Sequence, residues 1–385
     1  MQFASLKKLA ILSFLEPWRD RTRAKIFLAG TVGVFAASML SMALNYGIAG
    51  EGFKVTISFQ IARLALLGFL GITFSYWCLS HKSHRLYVLA SQSLGLMLLM
   101  ANPHSAFTNA IGFFFTSSPF WAIFSLRFAG QQSRTNHGHE IALSSFLSIL
   151  SGSAGTFCGG YLLDIGLYQL AIFISAVLFL IATQLLIRPI PSPPSPRQTW
   201  KVLRQRDPST RITLYNGILS TVQDVSLTIW LRAIGQSALS AGTLLALQPI
   251  LGFIITPIIG RLVQAGGMKS IRVGGINILL GWLLLIPALR QSWLFLPSFA
   301  LMAAGINLIT SAEVNRWFKL RSATGIVARE VALAMGRCPT FTVTLPIIFL
   351  IPSLYPITGI ATALLFIFGV RPLKIKKTSK ARRIA

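Results

Sequence analysis

The stretch RPIPSPPSPRQTWKVLRQRDPSTR, residues 188 to 211, is the one long polar interruption in a largely apolar sequence. It is rich in proline, serine and basic residues, a composition typical of a linker. The chain has 385 residues, 54% of them hydrophobic and 11% charged, with a mean hydropathy of +0.67. These values are far from those of an average soluble domain and indicate a polytopic membrane protein whose two halves this linker joins.

Apolar windows recur on both sides of the linker, each about as long as the 20 residues that a helix needs to cross the hydrocarbon of a bilayer. They predict an all-α integral membrane protein with twelve transmembrane helices in two six-helix bundles. The predicted spans are 25–48, 55–79, 86–102, 105–128, 140–163, 166–188, 211–232, 238–261, 270–289, 292–312, 325–351 and 355–371.

The linker and the spans divide the chain into five parts. A signal peptide is not expected at the N-terminus, because its apolar run is short and Glu16 and Arg19 stand where a cleavage site would lie. The parts are a cytoplasmic N-terminal segment (1–24), an N-terminal six-helix half (25–188), a cytoplasmic linker (189–210), a C-terminal six-helix half (211–371) and a basic cytoplasmic tail (372–385).

The placement of the basic residues predicts the orientation in the membrane. A net charge of +26 would suit a nucleic-acid partner, but the basic residues are unevenly placed. If the N-terminus is cytoplasmic, thirty of the 35 Lys and Arg residues fall in the segments on the cytoplasmic side of the membrane. Only Lys54, Arg232 and Arg290 lie near the other side. By the positive-inside rule both termini should be cytoplasmic. We expect a multi-pass protein of the bacterial inner membrane, surrounded by lipid bilayer, with no nucleic-acid partner.

Four ionisable residues at membrane depth are the candidate binding or coupling residues: Arg63, Asp224, Glu330 and Arg337. Burying such a group costs several kcal/mol unless it is paired or faces water. Arginine is always charged and offers two parallel donors, which favours an anionic solute. The carboxylate of Asp224, near the middle of its span, can exchange a proton. The alternative for these residues is a structural network of ion pairs between the halves.

Enzyme chemistry has no recognisable constellation in this sequence. HEIAL at 139–143 is not a zinc motif, because Leu143 stands in place of the second histidine. Cys78, Cys158 and Cys338 show no metal-type spacing. We therefore expect no cofactor, no metal and no enzymatic activity.

The two halves also share short sequence features. HEIALS at 139–144 parallels REVALA at 329–334, as expected of a duplication. The stretch GRLVQAGGMK, residues 260 to 269, comes at the end of the eighth span and contains Gly260, Gly267 and Lys269.

With its twelve predicted spans and long basic central loop, the chain resembles the major facilitator superfamily of secondary transporters over residues 25 to 371. That family carries a loop signature of glycines, an acid and basic residues after span two, and a second copy of it after span eight. Gly260, Gly267 and Lys269 match the second copy, in which Gln264 replaces the usual acid. In the first copy, Ser80 and Ser83 replace the Asp and the Gly.

The resemblance implies a monomeric transporter that moves a small solute by alternating access, with a binding site midway through the membrane between the halves. It implies a gating role for the loop residues Gly260, Gly267 and Lys269, and protons as the coupling ion. The alternative interpretation is a membrane sensor or scaffold that keeps the fold without transport. The departures from the loop signature favour that alternative, and the retained charges at membrane depth oppose it.

Overall fold

The computed structural model describes residues 20–131, 137–187, 196–204, 208–262, 268–318 and 323–369. All regular structure within these ranges is helical, which confirms the predicted fold class at that level. The α-helices are α1 Arg21–Ala49, α2 Phe53–Ala65, α3 Ile72–Ser80, α4 His84–Ala101, α5 Ala106–Gln131, α6 His137–Asp164, α7 Tyr168–Leu186, α8 Pro196–Arg204, α9 Pro208–Ser220, α10 Ser226–Ala233, α11 Ala238–Leu262, α12 Met268–Ala288, α13 Phe295–Phe318, α14 Ala323–Leu350 and α15 Tyr355–Gly369.

Two of the predicted spans contain a π-helical segment. Leu66–Gly71 connects α2 to α3, and Thr221–Val225 connects α9 to α10. A π-helical turn inserts a residue into the helical repeat and redirects the side chains around it, and such turns are frequent at functional sites.

Eight helices in the described part of the chain are long and apolar enough to cross a membrane, or nine if Phe53–Gly68 and Thr73–Ser80 form one bent span. Helices α9 and α10, which the π-helical turn separates, are not among these eight. The full set of twelve spans therefore stays a prediction.

The helices pack in two groups along the chain. Helices α1 to α7 surround one hydrophobic core, which contains only residues between Ile26 and Ile187. Helices α9 to α15 surround a second core, to which four residues of the first group also contribute: Met42, Tyr46, Ala49 and Leu64. We call these the N-terminal group and the C-terminal group. Within the predicted linker, the short helix α8 packs against α14.

Small residues bring the two groups into close contact. A Cβ atom on Gly160 of α6 would lie 2.6 Å from the carbonyl oxygen of Ala238 and 2.9 Å from the Cα of Gly242 on α11. In a second contact between the groups, Gly68 packs against Ala334 of α14. Such close backbone approach is the usual way in which helices associate in a bilayer.

The turns after α1, α4, α6 and α10 meet at one end of the helices, which we call the Glu51 end. Nδ1 of His104 lies there within hydrogen-bonding distance of Oε1 of Glu51, at 2.8 Å. The Asp164 carboxylate accepts a hydrogen bond from the backbone N–H of Leu239 at 3.3 Å. We call the opposite end, where Asp20 caps α1, the Asp20 end.

Candidate functional site

Two adjoining cavities lie between the N-terminal and C-terminal groups. The larger, of about 510 Å³, is lined by charged side chains from both groups and is called here the arginine cavity. The smaller, of about 260 Å³, is called the Asp224 cavity. Ser38 and Ser41 of α1 line both, so the cavities share a wall. The charged residues of the arginine cavity are Arg63, Arg329, Glu330 and Arg337.

Arg63 lies on α2, one turn before the first π-helical segment. Its Nη1 donates to the side-chain oxygen of Asn45 at 3.0 Å, and the amide of Gln60 donates to the same oxygen at 2.8 Å. The guanidinium lies over the ring of Phe113, 4.4 Å from its centre. Its Nε is buried without a hydrogen-bond partner among the described residues. Among the described residues, no carboxylate forms an ion pair with Arg63, and the groups that contact its guanidinium there are neutral.

Arg337 supplies a second guanidinium that forms no ion pair with the described residues. It lies on α14, and its Nε donates to the hydroxyl of Ser220 at 3.4 Å. Arg337 is close enough to Arg63 and to Asp224 to interact electrostatically with both. It therefore links the two cavities electrostatically.

Arg329, in contrast, is neutralised by two carboxylates. Its Nε donates to Oε1 of Glu313 at 2.9 Å, and its Nη1 donates to Oε1 of Glu330 at 2.8 Å. Glu313 is completely buried and also accepts hydrogen bonds from the Thr213 hydroxyl, at 3.1 Å, and from the Asn216 amide. With three donors, this buried carboxylate meets the condition that makes a charge tolerable away from water.

The arginine cavity therefore has an excess of positive charge, which comes from Arg63 and Arg337. A guanidinium is matched best by a planar anion that accepts two parallel hydrogen bonds, such as a carboxylate, or by a phosphate. Aromatic side chains form another part of the wall: Phe113, Trp121 and Phe124. This arrangement suits a small anion with an apolar or aromatic body.

Asp224 lies in the π-helical segment between α9 and α10. Although helices surround it, its side chain is exposed because it faces the Asp224 cavity. Among the described residues, no side chain donates a hydrogen bond to its carboxylate, and Thr228 donates instead to the Asp224 backbone carbonyl at 3.1 Å. The rest of the polar lining is neutral and consists of hydroxyls and amides: Ser38, Ser41, Thr156, Thr228, Gln248 and Asn307. This carboxylate is free to hold a proton or a cationic group.

All four residues predicted at membrane depth line these cavities. Arg63, Glu330 and Arg337 lie in the arginine cavity, and Asp224 lies in the adjoining one. Glu330 and Arg337, although on the same helix, bond to different partners: Glu330 pairs with Arg329, and Arg337 bonds to Ser220 on α9. Their part in binding or coupling stays a prediction.

The predicted gating loop lies largely beyond what the structure describes. Gly267 is outside the described residues, and only the backbone is described for Gly260 in α11 and Lys269 in α12. The gating prediction is therefore untested.

Sequence reasoning missed Glu313, the most deeply buried carboxylate of the described residues. The predicted span ended at residue 312, which placed Glu313 in a loop, whereas α13 continues to Phe318. The available signal was an acid in the helix-compatible stretch TSAEVNRWF, 310 to 318, facing the Arg329 of the next span. Asn45 and Gln60, which hold Arg63, are uncharged and gave no signal of a site.

Comparison with known proteins gives a likeness of structure without a likeness of sequence. No family model matches the chain, and no curated protein matches its sequence. The POT family transporter PepTSo is similar in structure, with a TM-score of 0.65 at 13% identity over 90% of this chain and 97% of that one. The human organic anion transporter MFSD10 (TETRAN) has a TM-score of 0.60 at 14% identity, over 91% of this chain and 100% of that one. A bacterial metal transporter has a TM-score of 0.55 at 12% identity, over 91% of this chain and 98% of that one.

Proposed function

We propose that this chain, which has the fold of major facilitator transporters, is a secondary transporter. It would move a small anionic solute by alternating access. The observation that carries this proposal is the pair Arg63 and Arg337, two guanidiniums without ion-pair partners among the described residues, in one cavity between the helix groups. Each costs several kcal/mol to keep at membrane depth, which a transported anion would offset each time it binds.

The contacts between the helix groups support a state that is closed at the Glu51 end. Arg232 of α10 donates to the backbone carbonyl of Tyr46 on α1 at 2.9 Å and lies over the Tyr46 ring at 4.6 Å. The Tyr46 hydroxyl donates to the carbonyl of Gln236 at 2.5 Å. The lining of the arginine cavity, by contrast, extends toward the Asp20 end as far as Ser125 and Arg329. In this proposal, the Glu51 end is extracytoplasmic and the cavity communicates with the cytoplasm.

The orientation follows from the basic residues and belongs to the same proposal. Both termini would lie in the cytoplasm of a cell whose inner membrane holds the protein, and residues 189–210 would link two six-helix halves, 25–188 and 211–371. Rocking of one half against the other would open the contacts at the Glu51 end and close the arginine cavity at the Asp20 end.

Asp224 is the proposed coupling residue. Its carboxylate faces a cavity lined by neutral hydroxyls and amides, and it lies close to the charge of Arg337. A carboxylate that is open first to one side of the membrane and then to the other can carry a proton across. Coupling to a proton gradient would then depend on this one group.

A non-transporting sensor or scaffold is the second candidate. The observation in its favour is the altered loop signature, with Ser80, Ser83 and Gln264 at the positions of the usual acid and glycine. It predicts binding of a solute without flux.

Solute flux in proteoliposomes separates the two candidates. We suggest benzenesulfonate as the probe, because it is permanently charged, crosses lipid slowly and carries an aromatic body. A transporter should show uptake above that of protein-free liposomes, with and without a pH gradient. Replacing Arg63 or Arg337 with Gln should reduce uptake at least tenfold, whereas the exposed Arg272, changed to Gln as a matched control, should leave it unchanged. Full uptake in both cavity variants would reject the anion-binding role.

A further inference from the structure

The arginine cavity and the Asp224 cavity carry opposite charge and adjoin each other. Arg63 and Arg337 form the basic pole, and Asp224 forms the acidic pole. Between the poles, Ser38 and Ser41 of α1 line both cavities, so the wall that they share presents hydroxyl groups. Two opposite charges held apart in this way can be satisfied together by one ligand.

The two poles do not neutralise each other directly. Arg337 is near enough to interact with Asp224, yet its Nε bonds to the Ser220 hydroxyl, and no ion pair joins it to a carboxylate of the described residues. Arg63 is likewise held by the neutral Asn45 and Phe113. Each pole therefore keeps hydrogen-bonding capacity for a ligand, and the buried Nε of Arg63 is a donor without a partner in the described chain.

The lining of the Asp224 cavity matches an ammonium group. An ammonium offers three donors and no acceptor. Asp224 supplies a charged acceptor, and neutral oxygen acceptors surround it on Ser38, Ser41, Thr156, Thr228, Gln248 and Asn307. Among the described residues that line this cavity, Asp224 is the one charged residue, and Arg337 belongs to the lining of the other cavity.

We propose that the ligand is zwitterionic, with an anionic group bound by Arg63 and Arg337 and an ammonium bound by Asp224. Its apolar or aromatic body would lie along Phe113 and Trp121, which line the arginine cavity. This inference rests on the proposed function and narrows its solute from an anion to an anion that also carries a cationic group. The ammonium and the coupling proton would occupy the Asp224 carboxylate in turn.

The test is calorimetric titration of the full chain in detergent with three matched probes. The probes share a benzene ring and differ in which charged groups they carry. The zwitterion is 4-(aminomethyl)benzoate, the anion is 4-methylbenzoate and the cation is 4-methylbenzylamine. The zwitterion should bind about tenfold or more tightly than either partial probe. It carries both charged groups, so it makes one charge-assisted hydrogen-bonded contact that each partial probe lacks.

The variants assign each pole. Asp224→Asn should weaken the zwitterion until it binds no better than 4-methylbenzoate, and should leave the affinity of 4-methylbenzoate unchanged. Asp224→Glu should restore part of the difference, which separates loss of charge from loss of folding. Arg63→Gln should weaken both carboxylate probes and spare 4-methylbenzylamine.

Each result bears on a different proposal. If 4-methylbenzoate binds as tightly as the zwitterion, or if Asp224→Asn leaves their difference intact, the zwitterion proposal is overturned and the anion transporter stands. If neither 4-methylbenzoate, the zwitterion nor the longer 6-aminohexanoate binds at millimolar concentration, the zwitterion and the anionic solute are both overturned.

Discussion

The Nε of Arg329 on α14 lies 2.9 Å from Oε1 of Glu313 on α13, and the carboxylate of Glu313 is completely buried. Glu330, the other partner of Arg329, is 27% exposed and lines the arginine cavity. One arginine thus joins a carboxylate of the protein interior to a carboxylate of the cavity. Glu313 is placed to stabilise the C-terminal group, and Glu330 is placed to respond to what enters the cavity.

We expect Glu313→Gln to destabilise the protein strongly. It would remove the charged acceptor at the buried end of this ion pair and leave Arg329, which is 22% exposed, with Glu330 alone. Breaking a fully buried pair costs about 3–5 kcal/mol, which sets the upper bound of the expected loss. The measurement is the midpoint of thermal unfolding in detergent. Glu330→Gln is the matched control and should lower that midpoint much less, because Glu330 is partly exposed and Arg329 would keep Glu313. Equal effects of the two variants would contradict the assignment of separate roles.

Arg232→Gln should loosen the closure at the Glu51 end. The change removes the hydrogen bond to the Tyr46 carbonyl and the cation–π contact with its ring. The expected result is a larger population of long distances between spin labels placed at the exposed residues Asn102 and Ser237, one on each helix group. Arg290→Gln, also exposed and at the same end, is the control. An unchanged distance distribution would show that these contacts do not hold the end closed.

The topology predicts that cysteines placed at residues 200 and 380 are labelled only from the cytoplasmic side. Trp200 is exposed on α8, so a cysteine there is accessible to a reagent. The background should lack Cys78, Cys158 and Cys338. Labelling of either position from outside intact cells would overturn the even number of spans and the cytoplasmic placement of both termini.

Asp224→Asn should abolish gradient-driven accumulation of benzenesulfonate in proteoliposomes while leaving its exchange across the membrane intact. The amide keeps the size of the side chain but cannot take up and release a proton. Because no described side chain bonds to the carboxylate, the variant should unfold at the same temperature as the native chain. Accumulation at the native level in this variant would exclude coupling through Asp224.

If Asp224 instead serves only as a structural partner of Arg337, a different pattern is expected. Asp224→Asn would then lower the unfolding temperature, and adding Arg337→Gln would restore part of the loss, since the two charges would be removed together.

The sequence by itself determined the helical class, and it selected four charged residues within long apolar segments; the linker and the depth of these residues in a membrane stay predictions. These are local properties: the length of an apolar run and the cost of a charge within it depend on neighbouring residues and on the bilayer, not on distant parts of the chain. Arg63, Asp224, Glu330 and Arg337 could be selected on that basis, and the structure places all of them at the two cavities.

Only the tertiary structure decided how those charges are partnered. Arg329 and Glu313 belong to different helices, so their ion pair depends on how α13 packs against α14, which no local pattern encodes. The same holds for Arg63, which Asn45 on α1 positions. The π-helical turn that presents Asp224 to its cavity is likewise a product of packing, because the sequence TVQDV has no local signal that distinguishes it from an ordinary helix. Partner choice is a long-range property, and it decides which charges are neutralised within the protein and which stay free for a ligand.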